Sequence, residues 1–133
     1  RIVMSGDFNQ SGRGAENWMF RNNIFVSRQL SGARINAAFC TPYYFENNVF
    51  YNFNEAFYEE LDSEHGAVNV LKTDPGFSQT AAEAGWESAY AFRPTAAELL
   101  DGGYNLGEMN ADDYAGADVT GRHYYGAFGT VAE

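Results

Sequence analysis

The chain has 133 residues, 45% of them hydrophobic and 17% aromatic, enough for one domain with a sizeable core. Asp and Glu number 18 against 8 Lys and Arg, a net charge of −10, which disfavours a nucleic-acid partner because phosphate binding needs concentrated basic side chains. A single cysteine excludes an internal disulfide, a haem-attachment pair and a cysteine-built structural zinc site.

The sequence opens at Arg1, with neither an initiator Met nor a basic segment followed by an apolar one. Such a start suggests a piece of a longer polypeptide. No apolar run is long enough to span a bilayer. The segment Arg1–Met4 is expected to be an open strand edge awaiting a partner.

An internal repeat follows. Trp18-Met-Phe-Arg-Asn-Asn-Ile-Phe25 aligns with Tyr43-Tyr-Phe-Glu-Asn-Asn-Val-Phe50 at an offset of 25 residues. That period lies in the range of stacked solenoid repeats, and the alternation within each copy suits strands. Phe20 should stack on Phe45 and Ile24 on Val49, all pointing inward. Arg21 matches Glu46, a charge swap expected to form an ion pair between neighbouring coils. The pairs Asn22-Asn23 and Asn47-Asn48 are expected to form a structural ladder, because a stacked amide supplies both donor and acceptor at a bend. Asn also tolerates the left-handed backbone of a tight corner. Cys40, in Asn36-Ala-Ala-Phe-Cys40, reads as a buried, inert thiol.

Tyr58-Glu-Glu-Leu-Asp-Ser-Glu-His65 reads as a solvated acidic loop between coils, with His65 at the surface. Lys72, the only lysine, is expected to face solvent. Asn69 to Phe77 reads as a strand ending in a turn at Asp74-Pro-Gly76. Thr80 to Trp86 is a short link with room for one helical turn. Thr95 is placed to cap a short helix, with Glu98 completing a capping box and Gly102-Gly103 stopping it. Oxygen ligands at Asp101, Asp112, Asp113 and Asp118 make a calcium site a candidate, although their spacing does not fit an EF-hand loop. Asp118 to Phe128 is turn-rich and ends on aromatics. No phosphate loop, nucleophile elbow or HExxH motif is present.

The order of these segments resembles the C-terminal part of pectate-lyase-like right-handed parallel β-helix proteins of bacterial surfaces and secretions. The resemblance rests on the Asn-Asn-aliphatic-Phe motifs at Asn22–Phe25 and Asn47–Phe50, the turn at Asp74–Phe77, the segment Phe92 to Gly103, and the tail Asp118 to Ala127. It departs at Ala96-Ala97-Glu98, where relatives often carry Ser-Pro. It implies an all-β solenoid with terminal coils over residues 1–77 and a closing segment over 78–133. The aromatic and aliphatic residues Trp86, Tyr90, Phe92, Leu99, Leu100, Tyr104, Tyr124, Tyr125 and Phe128 would then cover the last coil.

In lyases of that family the resemblance implies a Lys or Arg base with calcium on a uronate, and in hydrolases a carboxylate pair. This chain has neither constellation in evident form. Arg21, Arg28 and Arg34 lie on the coils, where they could contact an anionic sugar. The leading expectation is therefore a non-catalytic end module of an extracellular or cell-surface protein. Its partners would be missing upstream coils and a polysaccharide. A fragment of a polysaccharide lyase or hydrolase, and a structural subunit of a surface layer or filament, are the alternatives.

Overall fold

The computed structural model describes residues 2–3, 17–31, 35–36, 42–77, 89–107 and 112–130. Six strands come first: β1 (Ile2–Val3), β2 (Trp18–Arg21), β3 (Ile24–Ser31), β4 (Ile35–Asn36), β5 (Tyr43–Glu46) and β6 (Val49–Phe53). The helix α1 (Glu55–Ser63) follows, and after it two 3₁₀ turns at Ala89–Phe92 and Ala97–Leu100.

The strands pair as β1 with β4, β2 with β5, and β3 with β6, each pair parallel. Two successive passes of the chain thus visit the same three sheets in the same order. Phe20 lies opposite Phe45, Arg21 opposite Glu46 and Ile24 opposite Val49, the register that the repeat predicts. A third pass adds parallel bridges from Glu46 to Val68 and from Val49 to Leu71. The expected strand at Asn69 to Phe77 is reduced to those bridges. The Asp74 turn forms, with the Asp74 carboxylate accepting from Gly76 N–H at 2.8 Å.

Asparagine makes the corners. Asn22, Asn47 and Asn69 have φ of 56°, 55° and 53°, the left-handed region that Asn tolerates better than most residues. Each stands where the chain leaves one sheet for the next. Their backbones link the passes: Asn22 N–H donates to Asn47 C=O at 2.8 Å, and Asn47 N–H to Val68 C=O at 2.9 Å. The second Asn of each pair builds an inner rung. The Asn48 side-chain oxygen accepts from the Asn23 backbone N–H at 2.9 Å, and its amide donates to Phe20 C=O at 2.7 Å. Asn48 is 1% exposed, so these bonds replace water that cannot reach it. The third pass carries Val70 in the corresponding place, which ends the inner row and adds to the core.

Two apolar clusters result. The first joins Ile35, Phe45, Phe50, Phe53, Phe57 and Leu61, with Phe20, Phe25 and Tyr43 packed against it. Phe20 stacks on Phe45 with ring centroids 4.9 Å apart, and Phe25 on Phe50 at 4.7 Å. These separations equal the spacing of neighbouring strands, so the rings continue the backbone ladder. The second cluster is Val49, Leu99 and Tyr125, with Ile24, Leu71 and Ala96 beside it. Ile24 and Val49 therefore do not share the interior of Phe20 and Phe45. The corner at Asn47 turns the chain between them, and the row Ile24–Val49–Leu71 faces the closing segment instead.

Helix α1 replaces the expected loop over Tyr58–His65. Asn54 caps it, its side chain accepting from Phe57 N–H at 3.0 Å. Phe57 and Leu61, four residues apart on one face, are buried in the first cluster, and the acidic residues take the other face. Gly66 (φ 55°) ends the turn, with Ala67 N–H closing onto Leu61 C=O at 2.9 Å. The capping box expected at Thr95 does not form. Thr95 is occupied with the Asp74 turn, accepting nothing from Glu98 and instead donating from its hydroxyl to Gly76 C=O at 3.2 Å.

The closing segment lies along the side of the passes. Leu99 and Tyr125 cover Val49, and Asn47 donates to Gly102 C=O at 3.4 Å. Asn22 and Tyr104 exchange two bonds: the Asn22 amide donates to Tyr104 C=O at 2.8 Å and accepts from Tyr104 N–H at 2.6 Å. Gly126 N–H donates to Asn22 C=O at 2.6 Å. In the second pass the equivalent Asn47 carbonyl accepts from the Asn22 corner, so Gly126 takes the place of an earlier corner. The expectation that this segment closes the last pass is corrected on this point: it spans all three passes and reaches the first. Leu99, Tyr125 and Phe128 are buried there, and Phe92, Leu100, Tyr104 and Tyr124 are half-buried. Trp86 and the side chain of Tyr90 lie outside the described residues.

Candidate functional site

Two clusters of polar side chains stand out. The first sits where α1 ends. Glu60, Glu64 and His65 leave the last turn of the helix, and Tyr43 enters from β5. The Tyr43 hydroxyl and His65 Nδ1 are 2.5 Å apart, and His65 Nε2 is 3.2 Å from Glu60 Oε1. Glu60 Oε1 also accepts from Ile35 N–H at 3.3 Å. A helix carboxylate thereby takes the next strand's place beside β4. The His65 side chain is 8% exposed, so it is not the surface histidine expected from sequence. Burial, then the nearby Glu64 and Glu60 carboxylates, push the Tyr43 hydroxyl above its ordinary pKa and keep it protonated. Sequence reasoning missed this group because Tyr43 and His65 are 22 residues apart and meet only through the third pass.

The second cluster is a shallow cleft of about 150 Å³ whose lining includes Arg21, Asn23, Tyr104, Arg122, His123 and Tyr124. Arg21 forms the expected ion pair with Glu46 across the passes at 3.2 Å, and its guanidinium lies 3.9 Å over the Tyr104 ring. Arg122 donates to Gly129 C=O at 3.1 Å. Cation–π stacking and the ion pair fix Arg21 in one orientation, leaving a planar guanidinium and an aromatic edge at the cleft. Arg28 lies in β3, but its side chain, like all of Arg34, is outside the described residues.

Three of the four aspartates singled out for calcium spend their carboxylates on N–H or hydroxyl groups of their own turns or of neighbouring segments. Asp113 is buried and accepts from Ala115 and Ala117 N–H through Oδ1 and from Gly129 N–H through Oδ2. Asp118 accepts from the N–H and hydroxyl of Thr120. Asp101 accepts from Gly102 and His123 N–H. Asp112 is exposed, its backbone bridged to Asp118. Among the described residues, the group of potential metal ligands that converges is Glu60, Glu64 and His65.

Compared with family models, curated proteins and solved structures, the chain matches none. Among the described residues no helix is long and apolar enough to cross a membrane.

Proposed function

We propose that the chain is the C-terminal end module of an extracellular right-handed parallel β-helix, structural in role, which terminates and shields the solenoid. The observation that supports this most is that two successive passes visit the same three parallel sheets and a third adds bridges to two of them, with an Asn corner in each pass. Such a unit buries its apolar face only by stacking on neighbours. Two devices oppose further growth at the last pass: α1 stands in for a strand, and Val70 ends the inner amide row. At the first pass β2 and β3 are edge strands among the described residues, suited to an upstream coil. That coil would displace Gly126 from the Asn22 carbonyl. The Arg21–Tyr104 cleft is the place where such a protein would contact an acidic polysaccharide.

The shielding role is tested by truncation after Gly85. Loss of Leu99 and Tyr125 uncovers the row Ile24–Val49–Leu71, an apolar strip with every reason to associate. The truncated chain should elute as oligomers or aggregate in size-exclusion chromatography at a concentration where the intact chain does not. A truncated chain that stays monomeric and melts at the same temperature would overturn the proposal.

A further inference from the structure

The end of α1 concentrates negative charge that no side chain of the helix offsets. Glu60 and Glu64 lie on consecutive turns, Asp62 lies between them, and the last turn contains no basic residue. The backbone carbonyls at a helix C-terminus add partial negative charge of their own and favour a cation there. The side chains that meet at this point are also ligand types. The ligand atoms of Glu60, Glu64 and His65 all lie within 4.8 Å of one another.

We propose that Glu60, Glu64 and His65 form a binding site for a borderline divalent cation of the zinc type, with Tyr43 as the positioning residue behind His65. The separation of His65 Nε2 and Glu60 Oε1, 3.2 Å, is what two ligands about 2.0–2.1 Å from one tetrahedral ion require. Glu64 is exposed, and rotation of its side chain brings the third oxygen in. Three protein ligands leave a fourth position for water. The imidazole argues against calcium and magnesium, which take oxygen ligands.

The surroundings suit such an ion. Metal-bound histidines pass their second ring nitrogen to a hydrogen-bond partner, which sets the tautomer and the ring orientation. Here the Tyr43 hydroxyl stands against Nδ1. On binding, Nε2 gives up its contact with Glu60 to the ion, and Nδ1–H donates to the Tyr43 oxygen. Glu60 is held in place by Ile35 N–H, and His65 by its burial. Filled, the site would tie the end of α1 to β5 and to the edge of β4.

Isothermal titration of the full chain with zinc chloride, in a Cys40→Ser background to remove the thiol, tests this. One saturable site is expected, together with a rise in Tm as zinc binds the folded state. Calcium and magnesium chloride should produce neither. Glu64→Gln, at an exposed position that leaves the fold undisturbed, should weaken zinc binding at least about tenfold, and Tyr43→Phe about 10–100-fold. His65→Gln should abolish it, and if that variant does not fold, Glu64→Gln decides. Absence of a saturable site, or zinc affinity unchanged by Glu64→Gln, would overturn the proposal.

Discussion

Individual polar residues do much of the joining in this molecule. Asn48 and Asp113 are buried, and each spends its side chain on the backbone of another segment. Asp113 is the more telling, because its charge makes the bond to Gly129 titratable. Burial raises the cost of its ionised form, but N–H donation from Ala117, Gly129 and Ala115, with help from Arg93, outweighs it and lowers the pKa. A carboxylate depressed in the folded state contributes stability that is fully present above its unfolded value, near 3.9, and is lost as pH falls through the lower folded value. Tm should therefore fall on acidification below about pH 4, with the 112–130 segment loosening. Asp113→Asn should lower Tm at pH 7 and flatten that acid-side slope, as read from thermal melts between about pH 2 and 7. An unchanged slope would assign the acid sensitivity to other carboxylates.

The pairing of β2 with β5 and of the start of β3 with β6 was legible in the sequence because the repeat is a direct record of which residues lie opposite each other. Phe20 over Phe45 and Arg21 beside Glu46 follow from it without further information. The pairing of β1 with β4 lies outside the repeat, and the register of β3 with β6 shifts beyond Val26. Helix α1 was less legible, since Glu59, Glu60, Asp62 and Glu64 dominate the segment by charge. The signal was there in Asn54 followed by Phe57 and Leu61, a cap and one apolar stripe at helical spacing. Asn69 was hidden for a different reason: it matches Asn47 at 22 residues instead of 25, and its neighbour is Val70, not a second Asn. The cluster at Tyr43 and His65 depends on that third pass and was therefore out of reach. Helix α1 matters to the core through Phe57, whose ring stacks on Phe53 at 4.2 Å and touches Phe50. Phe57→Ala should destabilise the chain by about 3–5 kcal/mol. Asn54→Ala, which removes only the cap, should cost about 1 kcal/mol. Urea melts of both variants check the order. Equal, small losses would mean that α1 is an appendage and not the third side of the core.

At the scale of the whole molecule, the passes, their corners and the lateral segment form one hydrogen-bonded system. Loops that look irregular are fixed to the strands through Asn22, Asn47 and Gly126. The closing segment was foreseen as a cover, but its place was not, because nothing local in Tyr104 or Gly126 records that they meet Asn22, 82 residues from Tyr104. The central claim is that successive passes stack in parallel at the repeat register. Met19 and Tyr44 are register partners, and both side chains are exposed. Neighbouring strands stand about 4.8 Å apart, within the Cα range of a disulfide. The most direct measurement is oxidative cross-linking of the Met19→Cys/Tyr44→Cys double variant in a Cys40→Ser background, with Met19→Cys/Tyr43→Cys as the control. A shift of one residue turns the second side chain to the opposite face. The 19–44 pair should form an intramolecular disulfide with native-like Tm, and the 19–43 pair should stay reduced. A 19–44 pair that does not close, or a 19–43 pair that closes as readily, would contradict the stacked arrangement.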